Sequence, residues 1–220
     1  MTDVAPALDA AEGLIQQSVP KQTKERPLTT ADASYLFVLP WSLEHAGGVN
    51  QVVINLAQAI RTVGGLRPIV LIADWNAPSP IWEDCHGLKT VRWRVRPYHA
   101  DMRLKEWIAY RFWELRFKTE FRQFCRDNRV EIINPHYPCE SAFALERIIR
   151  DMPLPPRFVL SFHGTDVNSH RRSNAKTISQ WRQLLQRSDG VVACSHDLAR
   201  TLCEVFGAET TRVEQGHGQG

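Results

Sequence analysis

The chain lacks the features that would take it out of water or out of a reducing compartment. No apolar run approaches the roughly 20 residues that span a bilayer, and the N-terminus has no apolar signal-peptide core. The five cysteines, Cys85, Cys125, Cys139, Cys194 and Cys203, are odd in number and scattered, without a C-x-x-C pair. They read as reduced, mostly buried thiols of a cytoplasmic protein. His163 and His170 have no partners at metal-ligand spacing, so no metal site is assigned. Net charge is also scarce: 27 basic residues against 24 acidic leave +3, too little to make nucleic acid the main partner. Neither G-x-G-x-x-G nor G-x-x-x-x-G-K-[ST] occurs, which removes the usual dinucleotide fingerprint and the P-loop.

What is present is a repeating alternation of apolar strands and helices. The run Tyr35-Leu36-Phe37-Val38-Leu39 stops at Pro40, and a polar loop carries Gly47-Gly48. Asn50 then opens a segment with apolar residues at Val53, Leu56, Ile60 and Val63, closed by Gly64-Gly65. That is strand, loop, helix and a glycine cap. A glycine loop feeding a helix start presents backbone N–H groups and the positive end of the helix dipole, which suits a phosphate; two glycines also simply ease a tight turn. Arg67 to Ala73 is apolar enough for a strand buried on both faces, and Trp75 to Pro80 reads as a loop. Further strands are expected over 91–95, 130–134, 157–162 and 190–194, and helices over 104–127, 141–150, 175–187 and from the Ser195 cap to Phe206. This predicts one α/β domain, a doubly wound parallel sheet of Rossmann-like type over residues 34–220, behind a flexible tail over residues 1–33. The length of 220 residues suits one such domain and is short for two.

In such sheets ligands bind at the carboxyl ends of the strands. That rule brings Gly47-Gly48, His136-Tyr137, the segment Ser161-Phe162-His163-Gly164-Thr165-Asp166 and Ser195-His196 to one edge. His163, just past a buried strand, can project its imidazole into a crevice with Asp166 orienting it. Equally, His163 can satisfy a backbone carbonyl while Asp166 caps the next turn. Cys194-Ser195-His196-Asp197 looks like a compressed triad, but neighbours at a helix start point apart, so Ser195 reads as a cap. Between Lys89 and Arg126, basic residues interleave with Trp93, Trp107, Tyr110, Trp113, Phe117 and Phe121. Such a stretch can dock on an anionic membrane surface; an amphipathic helix with its aromatics in the core accounts for it more simply.

Four motifs in order, Ala46-Gly47-Gly48-Val49-Asn50-Gln51-Val52-Val53, Ile133-Asn134-Pro135-His136, Leu160 to Asp166 and Ser188 to Ser195, resemble the N-terminal domain of family-four retaining glycosyltransferases of the GT-B fold. The resemblance covers residues 35–213. It implies transfer of a sugar from a nucleotide-diphospho-sugar to a glycan or lipid-linked acceptor, with retention and without a bound metal or other cofactor. Gly47, Gly48 and Val49 would contact the donor diphosphate, and His163 would act at the transferred sugar. His136, Tyr137, Gly164 and Asp166 would line the acceptor or sugar side. GT-B enzymes also need a nucleotide-binding C-terminal half, absent from these 220 residues, so the chain alone is expected to transfer sugar weakly or not at all. The other reading is a non-catalytic module of the same fold that docks on a partner or on the inner face of the membrane.

Overall fold

The computed structural model describes residues 33–99, 101–207 and 213–215, the last three as backbone. The tail expected over residues 1–33 lies outside these except for Ala33, which opens the first strand. The strands are Ala33–Leu39 (β1), Leu66–Ala73 (β2), Ile81–Cys85 (β3), Leu88–Trp93 (β4), Val130–Pro135 (β5), Arg157–Phe162 (β6), Gly190–Ala193 (β7) and Val213–Gln215 (β8). The helices are Gly48–Val63 (α1), Leu104–Asp127 (α2), Glu140–Arg150 (α3), the single turn Thr165–Asn168 (α4), Ala175–Arg187 (α5) and His196–Phe206 (α6). Strands and helices alternate except that β2, β3 and β4 are consecutive and α4 and α5 both follow β6, and the strands join in one sheet in the order β3-β4-β2-β1-β5-β6-β7-β8. Every pairing is parallel except β3 with β4.

Strand periodicity divides the core between the two faces of this sheet. Leu36 and Val38 of β1, with Ile69 and Leu71 of β2, pack on one side with Tyr110, Phe117 and Phe121 of α2. Phe37 and Leu39, with Val70 and Ile72, pack on the other side with Val53 and Ala57 of α1. β2 is therefore covered on both faces, as its unbroken apolar run predicts. α1 starts at Gly48 rather than at Asn50, and its buried line is Asn50, Val53 and Ala57. Leu56 and Val63, expected on that face, are 37% and 86% exposed. The helix turns the Ala57 side to the sheet, which rotates Leu56 about 100° away. Its end is as expected: Gly64 donates to the Ile60 carbonyl at 3.0 Å, and Gly64 and Gly65 both have positive φ.

One hairpin escapes the sequence pattern. β3 runs antiparallel on the outer edge of β4, joined to it by His86 and Gly87, both at positive φ as a two-residue turn requires. Its residues are mostly exposed, so no apolar alternation marks them. Among the described residues no helix is long and apolar enough to cross a membrane.

The sheet order also fixes where a ligand can sit. From β1 the chain first builds outward through β2, then returns to lay β5, β6, β7 and β8 on the other side of β1. The reversal opens a crevice between the carboxyl ends of β1 and β5.

Candidate functional site

The loop after β1 is folded around a side chain that sequence reasoning assigned only to a helix start. Asn50 is buried; its amide donates to the carbonyls of Ser42 (2.9 Å) and His45 (2.7 Å), and its oxygen accepts from the Trp41 indole (2.9 Å). These bonds hold the loop so that Gly47 and Gly48 lead directly into α1, whose start no side chain caps. Gly47 has an extended backbone that any residue adopts, and a Cβ on either glycine would meet nothing within 4 Å. Neither the local conformation nor packing within the chain requires glycine there. The N–H groups of Gly48 and Val49 lie at the positive end of a 16-residue helix.

The next wall is the loop after β5. Trp41 meets the Tyr137 ring edge-on at a centroid distance of 4.8 Å, and the Tyr137 hydroxyl donates to the Thr165 hydroxyl at 3.0 Å, in the loop after β6. Tyr137 sits at φ 53°, an uncommon conformation for an aromatic residue, held by its N–H on the Ser161 carbonyl (3.0 Å). Loops following β1, β5 and β6 are thus tied in series. The loop after β7 joins them through Cys194, whose thiol donates to the His163 carbonyl at 3.6 Å.

Beneath these loops runs a polar chain. The Ser161 hydroxyl donates to Asn134 Oδ1 (3.0 Å), which turns the Asn134 amide nitrogen toward the Tyr35 hydroxyl (2.7 Å) and His136 Nε2 (3.1 Å). Burial, with a smaller effect from the neighbouring His163, pushes the His136 pKa down to about 3, so this ring is neutral. With Nε2 accepting from Asn134, its proton resides on Nδ1 and is donated to His163 Nε2 at 3.1 Å. His163 is half-buried, its pKa lowered by burial against a smaller opposing effect of Asp166. Its Nε2 is occupied, so the neutral ring offers the N–H at Nδ1.

The candidate residues therefore separate by burial. His163, Tyr137 and Gly164 stand at the edge, whereas His136, expected on the acceptor side, is 2% exposed and lies behind His163. Asp166 is buried too, and its carboxylate does not orient the imidazole. It accepts the backbone N–H groups of His163 (3.0 Å), Gly164 (2.6 Å) and Val167 (3.1 Å), pinning the loop through Gly164 at φ 128°, a conformation that favours glycine. Ser195 caps α6 by accepting from Leu198 N–H (3.1 Å), and Asp197 pairs with Arg200, so no triad forms there. Cavities of about 240 and 300 Å³ open away from this cluster, between α3 and α5, with Tyr98, Phe143 and Gln180 lining both and Glu106 of α2 bordering the larger. Asn50, Asn134 and Ser161 stand in the motifs that carry the family resemblance but had no site role assigned, and Trp41 had none at all; the only signal was that they stand at strand ends or in the segments that follow them.

An open doubly wound sheet, with its polar groups gathered at the reversal of strand order, defines a Rossmann-like α/β domain. Residues 46–215 match the family described as Glycosyltransferase Family 4, and the chain belongs to that family. Its fold is shared with sucrose-phosphate synthase from Thermosynechococcus elongatus, at TM-score 0.55 and 17% identity, over 82% of this chain and 47% of that one. A second solved structure, UGT89C1 from Arabidopsis thaliana complexed with UDP, is matched at TM-score 0.48 and 11% identity, over 84% of this chain and 52% of that one. The chain spans about half the length of these structures. A comparison with curated proteins finds no match.

Proposed function

We propose that this chain is the acceptor-side domain of a retaining glycosyltransferase that moves a sugar from a nucleotide-diphospho-sugar to a glycan or lipid-linked acceptor. The observation that carries the reading is the meeting, at the β1/β5 crevice, of an uncapped helix start behind two glycines and a neutral His163 with one free N–H. The donor diphosphate rests against the N–H groups of Gly48 and Val49, where the glycines leave the backbone open to it. His163 Nδ1–H donates to a hydroxyl of the transferred sugar and helps hold it as positive charge develops at the anomeric carbon. Tyr137 and Gly164 border the acceptor. His136 and Asp166 act behind them, fixing the His163 ring and the loop that carries it. The five free thiols support a cytoplasmic setting.

Replacing His163 with alanine in an enzyme form that turns over tests this directly. The expected result is a kcat loss of about 100-fold in a variant that stays folded, with a lowered thermal midpoint because the buried His136 Nδ1–H loses its acceptor. An unchanged kcat in a folded variant removes His163 from the chemistry.

A further inference from the structure

We propose that the N-terminal half of α2, together with Trp75, is a docking surface for an anionic lipid bilayer. α2 carries two apolar faces. Tyr110, Phe117 and Phe121 point into the core, so most aromatics of the basic stretch are unavailable to a membrane. A second line, Leu104, Ile108, Phe112 and Leu115, is 72%, 41%, 73% and 61% exposed. Their spacing of four, four and three residues sets them along one side of the helix, a stripe about 16 Å long by the helical rise. A helix of a soluble domain buries one apolar face and keeps the other polar. Here the outward face is apolar as well.

The surroundings of the stripe identify its occupant. Trp75 is 56% exposed, and the guanidinium groups of Arg94 and Arg96 each lie 5.3 Å from its ring. Arg96 also donates to the Ala109 carbonyl of α2 at 3.4 Å, which places the tryptophan cluster beside the stripe. Tryptophan and arginine favour the headgroup level, with apolar bodies inward and charges outward. From residue 94 to 116, six arginines and lysines face three carboxylates. All three are engaged: Asp101 with Lys176 at 2.6 Å, the buried Glu114 with Arg111 and Arg147, and Glu106 with the Arg103 backbone N–H at 3.0 Å. The rim is therefore positive, which opposes a second copy of the same face and attracts anionic headgroups. A convex helical ridge with a basic rim fits a helix lying in the plane of the interface.

Co-sedimentation of the 220-residue chain with vesicles decides the matter and needs no sugar chemistry, so its failure would leave the transfer reading untouched. Vesicles of phosphatidylcholine with about 30 mol% phosphatidylglycerol are expected to bind the chain about ten-fold or more tightly than pure phosphatidylcholine, and about 0.5 M salt to weaken that binding. Phe112→Glu with Leu115→Glu is expected to lower binding about ten-fold while leaving the urea midpoint in place, because both side chains are exposed. Arg94→Gln with Arg96→Gln tests the rim separately and is expected to weaken binding to the anionic vesicles only. Absence of binding to anionic vesicles, or undiminished binding by the Phe112/Leu115 variant, overturns the proposal. So does self-association without lipid that the same variant abolishes, which assigns the stripe to a contact between chains.

Discussion

His136 and His163 are adjacent rings whose protonation follows from where each sits. Unfolded, a histidine titrates near 6.5; folded, His136 is held down to about 3 by burial. Between these values the unfolded chain binds a proton that the native state refuses, so stability rises with pH through that window and levels off above it. His163 and His170, both also lowered by burial, push in the same direction. The urea midpoint is thus expected to fall between pH 7.5 and 5.5, with His136 contributing about 1 kcal/mol of that fall. Replacing His136 with glutamine should flatten the profile by that amount, and an equal fall in the variant would count against this account. His163 was legible in the sequence because a histidine followed by glycine at the end of an apolar strand is a local signal. The Ser161–Asn134–His136 chain behind it was not, since hydrogen bonds between residues 27 positions apart leave no local pattern. Of the two roles the sequence leaves open for Asp166, orienting the ring or capping the turn, the structure takes the second: its carboxylate holds backbone N–H groups.

At the scale of elements, sequence periodicity worked where one face is buried and failed where burial is ambiguous. The bounds of α2 and α5 were readable to the residue, and β2 announced itself by an unbroken apolar run. β3 is an exposed edge whose apolar residues, Ile81 and Trp82, are adjacent rather than alternating, and α1 offered two overlapping apolar lines of which the sheet uses one. α2 carries this ambiguity into its energetics, because two of its phenylalanines occupy opposite environments. Phe121 is fully buried and stacks between Phe117 and Phe124, with ring centroids 5.3 and 5.8 Å away. Phe112 is 73% exposed. Phe121→Ala is expected to cost about 3–5 kcal/mol through lost burial and the cavity left behind, whereas Phe112→Ala should stay within about 0.5 kcal/mol. Urea denaturation of the two variants checks the contrast. Similar losses would mean that the outward stripe is packed in solution against something that its exposure does not reveal.

For the molecule as a whole, the order of strands does more than any residue. Because β1 sits where the winding reverses, the loops after β1, β5, β6 and β7 converge although they span some 150 residues of sequence. Convergence on one sheet edge supplies one wall. A small-molecule site encloses about 70–90% of its ligand's surface, and a nucleotide-diphospho-sugar lying on this edge is met from one side only by the groups described. We therefore expect these residues alone to bind a donor weakly and to turn it over slowly or not at all, because an open edge can neither exclude water nor hold the diphosphate and the sugar at once. Release of nucleoside diphosphate from a panel of nucleotide-diphospho-sugars, measured with the isolated chain, is the check. Robust release that depends on His163 would show that one wall suffices, and would overturn the two-walled reading of the cleft while leaving the role of His163 intact.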